Sequence, residues 1–387
     1  MKLPKPTEEA FSSPLHHVRV ATVIGRWLGV AVSVCFLTGL FSHFQQVTPG
    51  WLVIPSRPAS LYRVTQGLHV LSGIVSVPLL LAKLWTVYPK LFAKLPWPPS
   101  RKALGAVLER ASILVLVSAL ALELFIGFLN TLQWYPWPFP FKETHYALAW
   151  IIVGSLLLHL AVKLPLITAN WRRTPADRTP VPRPADSLPP AITGLSRRGL
   201  FRTVAGAGAL VGIASIGQSV PTLGPIAVLA PRKPNIGPQG LPVNRTAKDA
   251  GIQVKDDWRL TIKGPSELSY SLDQLRALPQ SRSDLPIACV EGWSQGARWE
   301  GIRIHDLLKL CGAPAGSRLR VVSMEKGGFY ATSELPPQFA EDPLTLLALR
   351  LNGTELDLDH GFPARLIAPN RPGVLQTKWV HRLEVLS

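Results

Sequence analysis

The chain has 387 residues, of which 47% are hydrophobic and only 17% charged, a balance that excludes a disordered polar protein and points to membrane segments. Its formal net charge is +17, yet the basic residues sit mainly between apolar runs, where membrane topology accounts for them, and no nucleic-acid partner is expected. Three cysteines, Cys35, Cys289 and Cys311, give no CxxC pair, zinc spacing or disulfide framework, so any cysteine chemistry belongs to a single residue.

Four apolar runs occupy the first half, roughly Val20–Phe44, Leu61–Leu84, Ala111–Leu132 and Tyr146–Leu164. As helices they are long enough to cross a bilayer core of ~30 Å. Lys83, Lys90, Lys94, Arg101, Lys102 and Arg110 surround the second connection, and Lys163, Arg172, Arg173 and Arg178 follow the fourth run. The segments 45–60 and 133–144 carry one basic residue each, Arg57 and Lys142. Positive charge marks the cytoplasmic side, which puts the N-terminus and the end of run four there. Trp51, Tyr62, Trp85, Trp134, Tyr135 and Trp137 suit the interfacial belts.

His145 and His159 lie 14 residues apart on the fourth run. That interval advances a helix by ~21 Å and returns it to within about 40° of the same face. Two imidazoles on one stripe, one near each leaflet, suit two haems stacked across the bilayer, since imidazole is an ordinary axial ligand for haem iron. His69 on the second run and His17 ahead of the first lie at depths for the second ligands; His16 is less well placed, and His43 is an alternative to His69. A histidine at a helix end also serves by facing headgroups or bonding to a neighbouring helix. Four at matched depths favour a shared task, because polar side chains in a span are costly. Glu123, the acidic residue of the third run, suits either an interhelical hydrogen bond or a proton carrier beside a quinone.

This half, over about residues 15–165, resembles the dihaem b-type cytochromes of the cytochrome b561 and hydrogenase cytochrome b kind. The resemblance implies two haem b groups, ligand pairs His17/His159 and His69/His145, and electron exchange with membrane quinone or quinol.

Residues 171–195 form a Pro- and Arg-rich linker, too polar and proline-broken to pack a core. "SRRGLF" follows, with Arg197 and Arg198 ahead of a mild Gly/Ala run. The motif resembles a twin-arginine export signal, set here inside the chain because run four ends in the cytoplasm. Its generic alternative is the positive flank of a further span. Pro231 after "AVLA" disfavours cleavage, so 196–222 is expected to stay as a fifth anchor.

Beyond it, strand-like "WRLTIKG", "RLRVVSM" and "ARLIAP" alternate with helical "SLDQLRAL" and "IHDLLKL", which predicts a mixed α+β domain over 223–387. In "LPIACVEGWSQGARWEGIRIHDLL", Cys289 closes a strand-like run and opens a Gly/Trp-rich loop, a setting where sites are built. A buried core thiol is the plain alternative, but a thiolate there is a soft transition-metal ligand. Arg365 and Lys378 offer the guanidinium fork and the ammonium that a buried phosphate needs; surface salt bridging is their alternative. Cys35 and Cys311 read as packing, and His305 and Asp306 as a solvated helix face.

CVEGWS followed by W-x-G, with the closing "GFPARLIAPNRPGVLQTKWVHRLEV", resembles the sulfite oxidase superfamily, nearest its protein-methionine-sulfoxide reductase branch. The resemblance implies a molybdenum–molybdopterin cofactor with Cys289 as the metal's protein ligand. It also places Asn244, Arg245, His360, Arg365, Gln376, Thr377 and Lys378 around the pterin, with His360 where that reductase has Asn. Such a cofactor is inserted during cytoplasmic folding, which explains an export route for folded domains.

The whole chain is then expected to be multidomain: an all-α four-helix transmembrane bundle over 1–170, the linker, the anchor helix, and a sulfite-oxidase-like α+β domain. Its expected work is oxygen-atom transfer outside the cytoplasmic face of a bacterial plasma membrane, in the reductive direction on a sulfoxide-type substrate. Sulfite-type oxidation is the alternative direction. A membrane electron-transfer or redox-sensing module without turnover is the alternative from another class, as is a haem-free transporter.

Overall fold

An apolar segment in lipid must pair every backbone N–H and C=O within itself, so the long apolar runs fold as helices. The computed structural model describes residues 14–92, 101–171, 195–216, 220–230, 232–233, 235–328 and 331–386. The four runs become α1 (Val18–Gln46), α2 (Leu61–Val87), α3 (Arg101–Thr131) and α4 (Phe141–Ala169), each containing a stretch long and apolar enough to cross a membrane. All four outrun their apolar cores because the helix continues through the polar flanks; α3 begins ten residues before the run at Ala111. The expected linker falls in 172–194, outside the described residues. Within 196–222, where a fifth anchor was expected, Arg197–Ile216 forms a 20-residue helix, α5, which is not among the four long and apolar enough to cross a membrane.

The chain divides into two compact units that do not follow its linear order: Met1–Phe36 with Leu71–Gly212, and Leu37–Val70 with Ile213–Ser387. In the first, Leu80, Ala119, Leu120 and Ile152 join α2, α3 and α4, with Leu28 and Val32 of α1 against them. Val20 and Ile24 of α1, Ala82 of α2 and Leu200 of α5 form a second cluster. Leu114 and Leu157 stay more than half exposed, as side chains that meet lipid rather than a core would be.

The second unit holds two five-stranded sheets. One runs β2 (Leu268–Ser271), β1 (Arg259–Lys263), β10 (Val380–Leu386), β5 (Arg318–Ser323), β6 (Thr332–Leu335), with β1 parallel to β10 and the other pairs antiparallel. The other runs β3 (Ser281–Ala288), β4 (Ser294–Arg303), β7 (Leu346–Leu351), β8 (Thr354–Glu355), with β9 (Arg365–Ile367) also on β7, all antiparallel. Alternation places Leu260 and Ile262 of β1 and Leu319 and Val321 of β5 on one face, in a core with Leu347, Leu366 and Leu383. Short helices α6 (Leu272–Ala277), α7 (Ile304–Leu310) and α8 (Pro337–Ala340) connect the strands. The strand and helix patterns quoted above form β1, β5, β9, α6 and α7, so the mixed α and β reading holds.

Leu37–Val70 joins this unit because its polar groups are satisfied there. Asn370 is 2% exposed and ties four points: its N–H donates to Ala59 O (3.0 Å), its Nδ2 to Pro55 O (2.6 Å), and its Oδ1 accepts from Tyr62 N (2.8 Å) and Gln45 Nε2 (3.3 Å). Arg57 forms a two-pronged ion pair with the buried Asp342 at 2.8 and 2.9 Å. Ile54 enters the core itself.

Candidate active site

Cys289 is the first residue past β3, in the tight turn 289–293 that leads into β4. Its N–H donates to Trp293 O at 2.8 Å and its carbonyl accepts from Gly292 N at 3.1 Å. Gly292 takes φ 99°, a left-handed conformation that costs other residues strain. The Glu291 carboxylate accepts from Trp293 Nε1 at 3.0 Å, which fixes the far side of the turn. Cys289 is 1% exposed. Burial, reinforced by Glu291, pushes its thiol well above the ordinary range. A thiolate is therefore stable here only with a cation at Sγ.

Around this sulfur the second sheet and the C-terminal segment build a pocket lined by Pro242, Asn244, Ile287, Cys289, Trp293, Arg365, Gly373 and Lys378. Arg365, first residue of β9, lies beneath the surface with its guanidinium 5.4 Å from the Trp299 ring centre. Nη1 donates to His360 O at 3.1 Å, while Nε has no partner among the described residues. Lys378 Nζ donates to Asp359 O (2.7 Å) and Arg245 O (2.9 Å), which leaves one N–H of the ammonium. Burial pushes Arg365 down to about 9; burial and then Arg365 push Lys378 down to about 7. His360, buried and donating from Nε2 to Pro238 O at 2.8 Å, is pushed down to about 4 by burial and then Arg365. No acidic residue is among those lining the pocket. The buried Arg365 keeps an Nε without a partner among the described residues and the half-buried Lys378 keeps one N–H, donors that suit an anionic phosphate, while the carboxylates of Asp359 and Glu325 also act on the lysine.

Gly373 supplies a second fit. A Cβ there would come 3.1 Å from Ala288 O and 3.6 Å from Cys289 Cα, so the absent side chain keeps the backbone beside the cysteine open. Among the described residues no group of three or more His, Cys, Asp or Glu is placed to hold a metal ion.

The remaining expected pterin residues divide. Asn244 lines the pocket. Arg245 turns its half-exposed side chain to Glu325 at 2.6 Å and contributes its carbonyl to Lys378. Gln376 is used within the protein, accepting from Ala368 N and donating to Arg371 O, and the Thr377 hydroxyl meets Ser333 at 2.7 Å. Trp293 belongs to the CVEGWS motif, whereas Ile287 and Gly373 carry no such signal beyond the RPGV glycine. Cys311 packs in the core as expected. His305 and Asp306 sit half-buried on α7.

The membrane histidines differ in how their ring nitrogens are engaged. His145 Nδ1 on α4 lies 3.2 Å from Glu123 Oε2 on α3, a close approach of the two side chains across the helices. His16 places a ring nitrogen 3.3 Å from Thr86 O, which makes that nitrogen the donor. His17 Nδ1 instead accepts from Arg19 N at 3.1 Å, so the neutral ring carries its proton on Nε2. In the second unit the His69 ring lies against Gly39, where a Cβ would approach it to 2.7 Å. His159 is half-buried on α4.

With this geometry in hand, the class is an oxidoreductase. Residues 247–387 match the oxidoreductase molybdopterin binding domain. Mitochondrial sulfite oxidase of Rattus norvegicus is 34% identical over 166 residues, 34% of this chain and 30% of that protein. The protein-methionine-sulfoxide reductase subunit YedZ1 of Azospira oryzae is similar at 31% identity over 150 residues, 38% of this chain and 56% of that one. The oxidoreductase YuiH of Bacillus subtilis is 28% identical over 146 residues, 37% of this chain and 72% of that one. The chain thus spans about a third of the length of the sulfite oxidase and just over half of the Azospira protein.

Proposed function

We propose that the chain is a membrane-anchored molybdopterin oxidoreductase that transfers oxygen atoms on the extracytoplasmic side and exchanges electrons with quinone through b-type haems. The observation that carries it is the pocket that brings Cys289, Arg365 and Lys378 together, with N–H donors to spare and no acidic residue in its lining. The chemistry supplied by the bound groups is oxygen-atom exchange at molybdenum, a two-electron change, and single-electron carriage at haem. Cys289 would hold the metal through its thiolate, the deprotonated form that a bound cation would favour. Arg365 Nε and the remaining N–H of Lys378 would hold the pterin phosphate. Asn244 and the neutral His360 border the pterin, and Ile287 and Trp293 keep water from the sulfur.

In the membrane half, His69, His145 and His159, with one of the His16–His17 pair, serve as iron ligands. Glu123, 3.2 Å from His145 Nδ1, would help hold that ring in place as an iron ligand. Arg197 and Arg198 open the export signal read by the twin-arginine machinery, and α5 stays as the fifth anchor. The similarity to a sulfoxide reductase subunit supports reduction of a sulfoxide-type substrate, free or protein-bound. The similarity to sulfite oxidases supports the opposite direction, with electrons passed to quinone.

Metal and pterin analysis of the purified full chain, with a reduced-minus-oxidised spectrum, tests the reading. One molybdenum and a b-type band are expected. A chain with neither refutes it, and a chain with molybdenum but no band refutes the haem half alone.

A further inference from the structure

The turn that carries Cys289 is held by more than its own strands. Within the second unit, the first turns of α2 reach it at two points. Gln66, 4% exposed, donates from Nε2 to the Val290 carbonyl at 2.8 Å. One turn further on, Val70 packs against Gly292, where a Cβ would lie 2.5 Å from the valine. Residues four apart share one helix face, so a single stripe of α2 braces both sides of the turn. The start of that helix is itself fixed, through the Asn370 bonds to Pro55, Ala59 and Tyr62.

Gln66 Oε1 is buried with no partner among the described residues. A buried, unsatisfied acceptor is a cost to the fold, and an apolar side chain at this position would avoid it. What the amide supplies in return is the bond to Val290, the residue next to the metal's cysteine. That bond and the Val70–Gly292 contact fix the turn in a way its internal hydrogen bonds do not, because Gly292 lacks a side chain of its own to pack.

We propose that Gln66 and Val70 are positioning residues for Cys289: they set the turn 289–293 at the height where Sγ meets the metal. This deepens the reading of the pocket as a molybdopterin site and rests on it. It makes part of a membrane-half helix a component of the catalytic centre, one residue along the chain from His69.

The test uses the full chain purified in detergent, as wild type, Gln66→Ala, Gln66→Glu, Val70→Ala and Arg57→Ala. Molybdenum per polypeptide, amide exchange in the peptide spanning 285–297, the Mo(V) paramagnetic spectrum, and kcat and KM for a sulfoxide as oxygen donor are measured. Both Gln66 variants keep their molybdenum, because the pocket cations are untouched. Their exchange in that peptide rises about tenfold as the turn opens more often. Their Mo(V) signal shifts, and kcat falls about tenfold with KM unchanged, since a small misplacement of a reacting centre costs rate rather than binding. Val70→Ala moves the same readouts by less, and Arg57→Ala, which cuts a remote tie of the same segment, leaves them at wild-type values.

Gln66 variants with wild-type exchange and an unshifted signal overturn the proposal. So does Arg57→Ala matching them, because the effect is then general loosening. Wild type without molybdenum, but with exchange still sensitive to Gln66, refutes the cofactor reading and leaves the brace as a structural one.

Discussion

Arg365 lies with its guanidinium 5.4 Å from the centre of the Trp299 ring, bonded through Nη1 to the His360 carbonyl and with Nε unpartnered among the described residues. A buried cation so poorly compensated weakens the fold unless an anion joins it. Arg365→Met should therefore raise the stability of the cofactor-free domain, by about 1–4 kcal/mol, while the pterin is lost. Melting of the cofactor-free protein and pterin content of the loaded one check the two halves. A variant that is less stable without cofactor would show that Arg365 is satisfied in the fold itself.

The same logic gives a pH dependence. Lys378 is held down at about 7 against an ordinary 10.5, so between these values the unfolded chain carries a proton that the folded one has released. Stability of the cofactor-free protein should rise with pH across that window. His360, at about 4 against 6.5, acts on the acid side: stability falls as pH drops through that interval. A bound phosphate restores the charge on Lys378 and should flatten the alkaline rise. Melting temperatures from about pH 4 to pH 10, with and without cofactor, check this, and Lys378→Met should lack the alkaline rise in both.

Some of the site was legible in the sequence and some was not, and the division has physical causes. Cys289 stands out because a thiol at a strand end before a Gly/Trp-rich turn is local information. Arg365 and Lys378 could be placed because charge and chain order suggest a phosphate. Gln376 and Thr377 were expected at the pterin yet bond within the protein, because sequence does not say which way a side chain faces in an irregular segment. Arg371 was passed over; it is buried, pushed down to about 10 by burial, and donates to Leu375 O and Glu334 O to hold that segment. The four apolar helices followed directly from run length. The joining of Leu37–Val70 to the C-terminal domain did not, because its bonds reach partners such as Asn370 and Val290 more than two hundred residues away.

Asn370 shows what those long-range bonds are worth. Asn370→Ala removes the side-chain bonds to Pro55, Tyr62 and Gln45 and places alanine at φ 48°. The expected loss is about 2–4 kcal/mol, seen as a lower melting temperature and faster proteolysis between residues 47 and 60. Asn370→Gly tolerates the backbone angle and should recover only the smaller, conformational part. Equal losses for the two would mean that the bonds dominate and the angle costs nothing.

The twin arginines open α5 directly, with Arg197 as its first residue. Replacing both Arg197 and Arg198 by lysine keeps the charge and removes the guanidinium pair that an export receptor would read. The double variant should leave the C-terminal domain in the cytoplasm, protected from protease added outside. A domain still exposed outside would reduce the pair to a positive flank of a span.

The central claim is that Cys289 and the membrane histidines serve one electron path. The direct measurement follows the haem spectrum of the reduced protein after mixing with a panel of sulfoxides and N-oxides, and of the oxidised protein after mixing with sulfite, for wild type and Cys289→Ala. The account predicts that wild-type haem is reoxidised by an oxygen donor, or reduced by sulfite if electrons run the other way, and that Cys289→Ala does neither at a comparable rate. Haem that answers neither class, or that responds equally without the Cys289 thiol, would contradict it.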